Sequence, residues 1–163
     1  MHLHGLRAIV NLRGPNPHVE WYQEERSLAQ DLGVDHYDLP MSAGLPPTSG
    51  ELKALVEILH TCKKPVLLHC ESGAERTGLA CAIYLLAEEE VSFEEVGSQM
   101  SLRFGVLPWK SGSTRCRRFL DLYRDWLTEQ ALEHSGEHFR EWATTVYRRP
   151  EWLGGPDWPR YPP

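Results

Sequence analysis

The 163-residue sequence predicts a single α/β domain, with a central, mostly parallel sheet of about four or five strands flanked by helices. Three observations predict it. Short apolar runs of strand length alternate with longer stretches of helical period. One such run, Pro65-Val66-Leu67-Leu68, leads through a glycine-containing loop into a helical pattern. The chain is also near the common size of one domain and long enough to bury a core. Strands that alternate with helices imply parallel pairing and a sheet covered on both faces.

The elements follow in order. Residues 7 to 12 read as a strand, Val19 to Asp31 as a helix, and Val34 to Leu39 as a second strand, with Gly33 as the helix stop. A loop runs from Pro40 to Pro47. Thr48-Ser49-Gly50-Glu51 is a capping box that opens a helix with Leu52, Leu55, Val56 and Leu59 on its core face. The Pro65 to Leu68 strand comes next, and Leu79, Ala82, Ile83 and Leu86 then recur at helical spacing. Ser92-Phe93-Glu94-Glu95 is a second capping box, with Val96 and Met100 continuing the apolar face. Phe119, Leu122, Tyr123 and Trp126 mark a further helix, and Phe139, Trp142, Ala143 and Val146 a last one. The domain is expected over residues 1–149. Residues 150–163 hold five prolines and two tryptophans and form a tail that is neither helix nor central strand, its tryptophans expected to pack back on the domain.

Composition narrows the function. A formal net charge of −6 argues against nucleic acid as a partner, because duplex binding needs a basic surface to displace counterions. No apolar run approaches 18 residues and no signal-peptide pattern follows Met1, so the expectation is a cytoplasmic protein without a membrane span. Cys62, Cys70, Cys81 and Cys116 lack paired metal-site spacing and do not form a disulfide framework; Cys62 and Cys81 fall in helix-like apolar patterns as small core residues. His2 and His4 have no further ligand in register. No metal or other cofactor is expected.

The chemistry concentrates in His69-Cys70-Glu71-Ser72-Gly73-Ala74-Glu75-Arg76-Thr77-Gly78. This segment joins the C-terminal end of a strand to the N-terminal end of a helix, where unpaired N–H groups and the positive end of the helix dipole favour an oxyanion. A thiol in such a field is driven toward its thiolate, so Cys70 is a nucleophile candidate. Arg76 offers a planar fork of donors that matches two oxygens of a phosphoryl group. Gly73 lets the backbone turn its amides inward, Thr77 can donate its hydroxyl to the thiolate, and Ser72 can assist hydrolysis of a phosphoenzyme. The backbone of Glu71, Ser72, Gly73, Ala74, Glu75 and Arg76 would bind the phosphate. The implied reaction is attack on phosphorus, a cysteinyl-phosphate intermediate, then hydrolysis.

The pattern His-Cys-x5-Arg-Thr-Gly resembles the signature of the cysteine-dependent protein tyrosine phosphatase superfamily, and is most similar to its small bacterial dual-specificity-like members. The resemblance extends to Ala8-Ile9-Val10-Asn11-Leu12-Arg13-Gly14 and Met100-Ser101-Leu102-Arg103-Phe104-Gly105, and covers about residues 5 to 128. It implies a metal-independent phosphomonoester hydrolase acting on a phosphorylated substrate.

The proton donor does not follow from this pattern. The family places an aspartate on a loop roughly thirty residues before the cysteine, but Pro40 to Pro47 contains no carboxylate. Glu75, beside Arg76, is the candidate general acid, because myotubularin-like and Sac-like phosphatases carry an aspartate at the matching position. Asp38, 32 residues before Cys70, is the alternative. His69 is expected to point away from the nucleophile and to tune the loop from behind. Asn11 ends a neighbouring strand and could hold the loop through backbone contacts. Arg13 and Arg103 could line the mouth.

The acidic pair Glu71 and Glu75 should repel polyanions, which favours a phosphotyrosine or other phosphoprotein monoester. The alternative within the enzyme class is a phosphoinositide or inositol phosphate, with Arg13, Arg103, Lys110 and the Arg115, Arg117, Arg118 cluster supplying positive potential. From another class, a pseudophosphatase would bind phosphorylated ligands without turnover. The absent loop aspartate favours it, and the intact Cys70, Arg76 and Thr77 oppose it.

Overall fold

The computed structural model describes residues 5–107 and 109–153. His2, His4 and the tail beyond Leu153, Trp158 included, lie outside the described residues. Three strands form the sheet: β1 (Ala8–Asn11), β2 (Asp35–Asp38) and β3 (Val66–His69), parallel and in the order β2-β1-β3. The helices are α1 (Glu20–Asp31), α2 (Ser49–Thr61), α3 (Glu75–Glu88), α4 (Phe93–Ser98), α5 (Ser111–Gln130) and α6 (Gly136–Glu141). A 3-10 turn, Leu102–Phe104, precedes α5, and α6 runs on as a π-turn, Trp142–Val146.

The expected four or five strands are corrected to three among the described residues. The reason lies after β3. From Glu75 onward the described chain goes through α3 to α6 with turns between them, and no segment returns to the sheet.

Register fixes what each face carries. Ala8, Ile9, Val10 and Asn11 pair with Asp35 through Asp38 on one side and with Val66 through His69 on the other. Paired residues share a face, so Ile9, Asn11, His36, Asp38, Leu67 and His69 point one way. Val10, Tyr37 and Leu68 point the other. The first face is covered by α1, where Ile9, Ala29 and Val34 make a small core. One helix covers it only in part and leaves Leu67 40 % exposed.

The second face carries the main core. Val10 and Leu12 pack with Leu52, Leu55 and Leu59 of α2, Leu79, Ile83 and Leu86 of α3, and Phe119 and Tyr123 of α5. Both capping boxes form as read: Thr48 and Glu51 open α2, and Ser92 and Glu95 open α4, each pair exchanging side-chain and backbone hydrogen bonds. The last helix turns Phe139, Trp142 and Ala143 inward against Phe119 and Tyr123. Beyond it, Tyr147 donates to the Pro47 carbonyl at 2.8 Å, tying the chain end to the start of α2. Leu153 is buried, while Trp152 is 63 % exposed and does not pack back.

Candidate active site

The strand β3 delivers Cys70 at its C-terminal end, and five residues later the chain enters α3. The turn between them depends on Gly73, whose φ of +68° strains any residue with a Cβ. Ala74 is the N-cap of α3 and has no side-chain oxygen to accept from the first-turn amides. The Thr77 amide among them turns to the Cys70 sulfur, and the amides of Glu75 and Arg76 are left to a ligand or solvent. Glu75 and Arg76 belong to the first helical turn, not to the loop, so both side chains are set by helix geometry.

Cys70 is half-buried at this junction. Burial alone would push its thiol pKa up. The Thr77 hydroxyl, which donates to the sulfur at 3.1 Å, and the backbone amides of Thr77, Gly73 and Ser72 outweigh that and bring it below the ordinary thiol value. Four donors aimed at one sulfur favour the thiolate, and the same amides can receive the oxygens of a bound phosphoryl group.

Arg76 is largely enclosed, with 14 % of its side chain exposed, and its guanidinium lies 3.7 Å from the Glu71 carboxylate. Glu71 itself is 72 % exposed. It is a surface carboxylate that a substrate phosphate can displace, since exposed ion pairs of this kind contribute little.

Glu75 has a different setting. Its Oε1 accepts from the Ser113 hydroxyl at 2.9 Å, in the first turn of α5. The Pro40–Pro47 loop and α5 meet at two glycines: a Cβ on Gly112 would come within 2.6 Å of the Gly44 Cα and 3.0 Å of Glu75 Oε1. Arg115 Nε donates to the Gly44 carbonyl at 3.0 Å and fastens the same loop. The Cys116 thiol beneath is pushed up to about 12, by burial first and then by the Glu75 charge. Glu75 therefore sits in a built junction between α3, α5 and the Pro40–Pro47 loop.

Asp38 ends β2 and is occupied on both oxygens. Oδ1 accepts from Asn11 Nδ2 at 2.9 Å; Oδ2 accepts from the Tyr22 hydroxyl at 2.5 Å and lies 3.6 Å from Arg26. Burial and then the Asp38 hydrogen bond push the Tyr22 pKa up. Asn11 is fully buried and donates also to the Gly14 carbonyl, while its Oδ1 accepts from the Arg13 amide. Its side chain thus orders its own loop. The backbone link from β1 to the site is one residue on, where the Leu12 amide donates to the His69 carbonyl at 2.9 Å.

His69 shares the α1 face of the sheet with His36, and Glu25 of α1 reaches both. Its Oε1 lies 2.8 Å from His36 Nε2 and its Oε2 lies 3.1 Å from His69 Nε2. The second contact is close enough for an ion pair but off the direction of a hydrogen bond. Arg13 stacks on Trp21, its guanidinium 4.1 Å from the ring centroid. Arg103 lies in the 3-10 turn, 5.6 Å from the Phe104 ring. Glu25 and Ser113 carry no local signal in the sequence, because each meets its partner across a helix or sheet packing that only the fold brings together.

Among the described residues no three His, Cys, Asp or Glu side chains gather as a metal site. Nor is any described helix long and apolar enough to cross a membrane. A mainly apolar cavity of about 430 Å³, lined by Pro65, Val66, Leu68, Cys81, Tyr84 and neighbours, follows the edge of β3 and contains none of the loop residues.

This geometry, a thiol under converging amides with an arginine in the first turn of the helix that follows, can hold a tetrahedral oxyanion against a nucleophile. A profile of the Tc-R-P family, described as "Polymorphic toxin system, DSP-PTPase phosphatase", matches residues 1–90, more than half of the chain. The chain belongs to this family. As a DSP-PTPase member it is a cysteine-dependent phosphatase of the dual-specificity type, a hydrolase. The fold agrees with a crystal structure of the core catalytic domain of the PP-IP phosphatase SIW14 from S. cerevisiae, in complex with citrate. The TM-score is 0.51 at 21 % identity, over 77 % of this chain and 76 % of that one. At that identity the likeness speaks for the fold. No curated protein matches the DSP-PTPase chain.

Proposed function

We propose that the chain hydrolyses phosphoprotein monoesters, phosphotyrosine foremost, through a cysteinyl-phosphate intermediate on Cys70. The observation that carries this reading is the 3.1 Å hydrogen bond from Thr77 to the Cys70 sulfur, together with the loop amides that favour its thiolate. The thiolate attacks phosphorus and the bond to the leaving oxygen breaks. Arg76 and the amides of Glu71 through Arg76 bind the equatorial oxygens and follow their charge into the transition state. Water then attacks phosphorus, Ser72 assisting, the S–P bond breaks, and phosphate leaves with the thiolate restored under Thr77.

Glu75 is assigned the proton donated to the leaving oxygen in the first step, and the proton taken from water in the second. Three things support Glu75 over its rivals. It follows the loop directly beside Arg76, Ser113 holds one of its oxygens, and Asp38 has both oxygens engaged by Asn11, Tyr22 and Arg26. His69, from the α1 face, is assigned a positioning role on the loop.

The protein substrate is favoured over a polyanion by Glu71, which is exposed beside Arg76. An inositol phosphate or phosphoinositide is the second reading, raised by the name of the SIW14 neighbour. The test is turnover of phosphotyrosine and phosphoserine peptides, phosphoinositide vesicles and soluble inositol phosphates, with Cys70→Ser alongside. The proposal expects the peptides to be turned over fastest and all hydrolysis to vanish in Cys70→Ser. Preference for an inositol phosphate would replace the protein reading, and hydrolysis that survives Cys70→Ser would remove the mechanism.

A further inference from the structure

The stretch from Gln99 to Gly112, described except for residue 108, is pinned to the active-site helix at both ends and exposes described side chains between them. At one end, Met100 and Val106 are fully buried against Gly78, where a Cβ would meet Gln99 O at 2.7 Å, Met100 Sδ at 3.2 Å and Val106 Cγ2 at 3.5 Å. Gly105 lies against the phosphate loop itself, since a Cβ there would be 3.7 Å from the Ala74 Cβ. At the other end Gly112 abuts Glu75. Between these anchors Leu102 is 58 % exposed, Phe104 41 % and Trp109 73 %.

Three large apolar side chains exposed within eight residues of one segment that is anchored beside an anion site call for a ligand contact, because scattered exposure is ordinary but three on one anchored segment is not. Gly105 and Gly112 bring this segment against Ala74 and Glu75 of the phosphate site, so the nearest occupant for its exposed side chains is the part of the substrate next to its phosphate. Charge points to which part. The chain carries a net −6, and Glu71 stands 72 % exposed at the same mouth, which disfavours an anionic bilayer or a polyphosphate despite Arg103 and Lys110 nearby.

Resting on the proposed protein phosphatase reading, we propose that Leu102, Phe104 and Trp109 form a substrate-binding rim that takes apolar residues flanking the phosphorylated residue of a polypeptide. Exposed aromatic side chains suit this task, since they bury much apolar area for little conformational entropy. The rim acts through binding of the flanks and leaves the phosphoryl chemistry alone.

The test compares two phosphotyrosine peptides, one with leucine and phenylalanine around the phosphotyrosine and one with serine and glycine, beside para-nitrophenyl phosphate. The wild-type chain should have about tenfold higher kcat/KM on the apolar peptide. Leu102→Ala/Phe104→Ala/Trp109→Ala should lose that preference and keep para-nitrophenyl phosphate turnover within about twofold. Trp109→Ala alone, at the most exposed position, should lose part of it and guards against misfolding of the triple variant. Equal preference in wild type and variants, or an equal loss on all three substrates, would overturn the rim. The same variants are assayed on phosphoinositide vesicles, and unchanged peptide rates with loss only on the vesicles would overturn it too, in favour of a lipid surface. Peptide binding to Cys70→Ser, read by fluorescence polarisation, separates the two failures. Wild type that turns over no peptide refutes the protein phosphatase reading, whereas flank-independent binding refutes the rim.

Discussion

The Thr77 hydroxyl and the Cys70 sulfur, seven residues apart in sequence, are 3.1 Å apart across the junction of β3 and α3. The first turn of the helix folds back over the strand end, so a side chain in that turn reaches the residue that closes the strand. This makes the thiol's acidity a property of the junction rather than of the cysteine alone.

Thr77→Ala removes the strongest donor to the sulfur while leaving the amides of Ser72, Gly73 and Thr77 in place. The thiolate is the reactive form, and the folded-state pKa lies below the ordinary value. The iodoacetamide rate should therefore level off at lower pH in wild type than in a free thiol, and its midpoint should move up in Thr77→Ala. Turnover should fall by about tenfold to a hundredfold, as expected for a hydrogen bond to a charged group. Thr77→Ser should restore most of both. A midpoint that does not move would detach Thr77 from the thiolate.

Glu75 and Asp38 make opposite predictions as proton donors. Glu75→Gln should slow hydrolysis of phosphotyrosine by roughly a hundredfold, and of an activated aryl phosphate far less, because a low-pKa leaving group departs without a proton. Asp38→Asn should have no such dependence on the leaving group. Steady-state rates of both variants on both substrates check this, and a leaving-group effect confined to Asp38→Asn would reverse the assignment.

The close approach of Gly112 to Gly44 predicts a steric cost. Gly112→Ala would put a methyl group 2.6 Å from the Gly44 Cα, which cannot yield without moving α5 or the Pro40–Pro47 loop, and 3.0 Å from the Glu75 carboxylate. The expected loss of stability is about 1–3 kcal/mol by urea denaturation. Gly50→Ala has nothing within 4 Å of its new methyl group and is the control.

On the opposite face of the sheet, Glu25 is the common neighbour of His36 and His69. Glu25→Ala would leave two largely enclosed imidazoles without their carboxylate, at a cost of about 1–3 kcal/mol in unfolding free energy. Glu25→Gln should recover part of it through His36. Thermal and urea melts of the two variants decide the matter, and an unchanged midpoint in Glu25→Ala would contradict it.

How much of this was legible in the sequence follows from the range of each interaction. The strand Val66–His69, the loop and the helix behind it are consecutive, so periodicity and one glycine suffice to read them. The Thr48–Glu51 and Ser92–Glu95 boxes are equally local and form as read. The extent of the sheet is not local. Whether the chain after α3 returns to β3 depends on packing among α3, α5 and α6, and there the chain stays helical. The Phe139 to Val146 pattern was legible as an apolar helical face, but not its passage from α6 into a π-turn. Glu75 was legible as a carboxylate beside Arg76. Its hold on Ser113, 38 residues on, was not, and neither was the exposure of Leu102, Phe104 and Trp109 beside the loop.

The most direct test of the account is the covalent intermediate. Wild-type protein mixed with a phosphotyrosine peptide and quenched in acid within the first turnovers should carry a phosphoryl group on the fragment that contains Cys70, seen by mass spectrometry. The label should be absent in Cys70→Ser and should accumulate where hydrolysis of the intermediate is slowed, as in Ser72→Ala. A phosphoryl group on any other residue, or steady turnover by Cys70→Ser with no label at all, would contradict it.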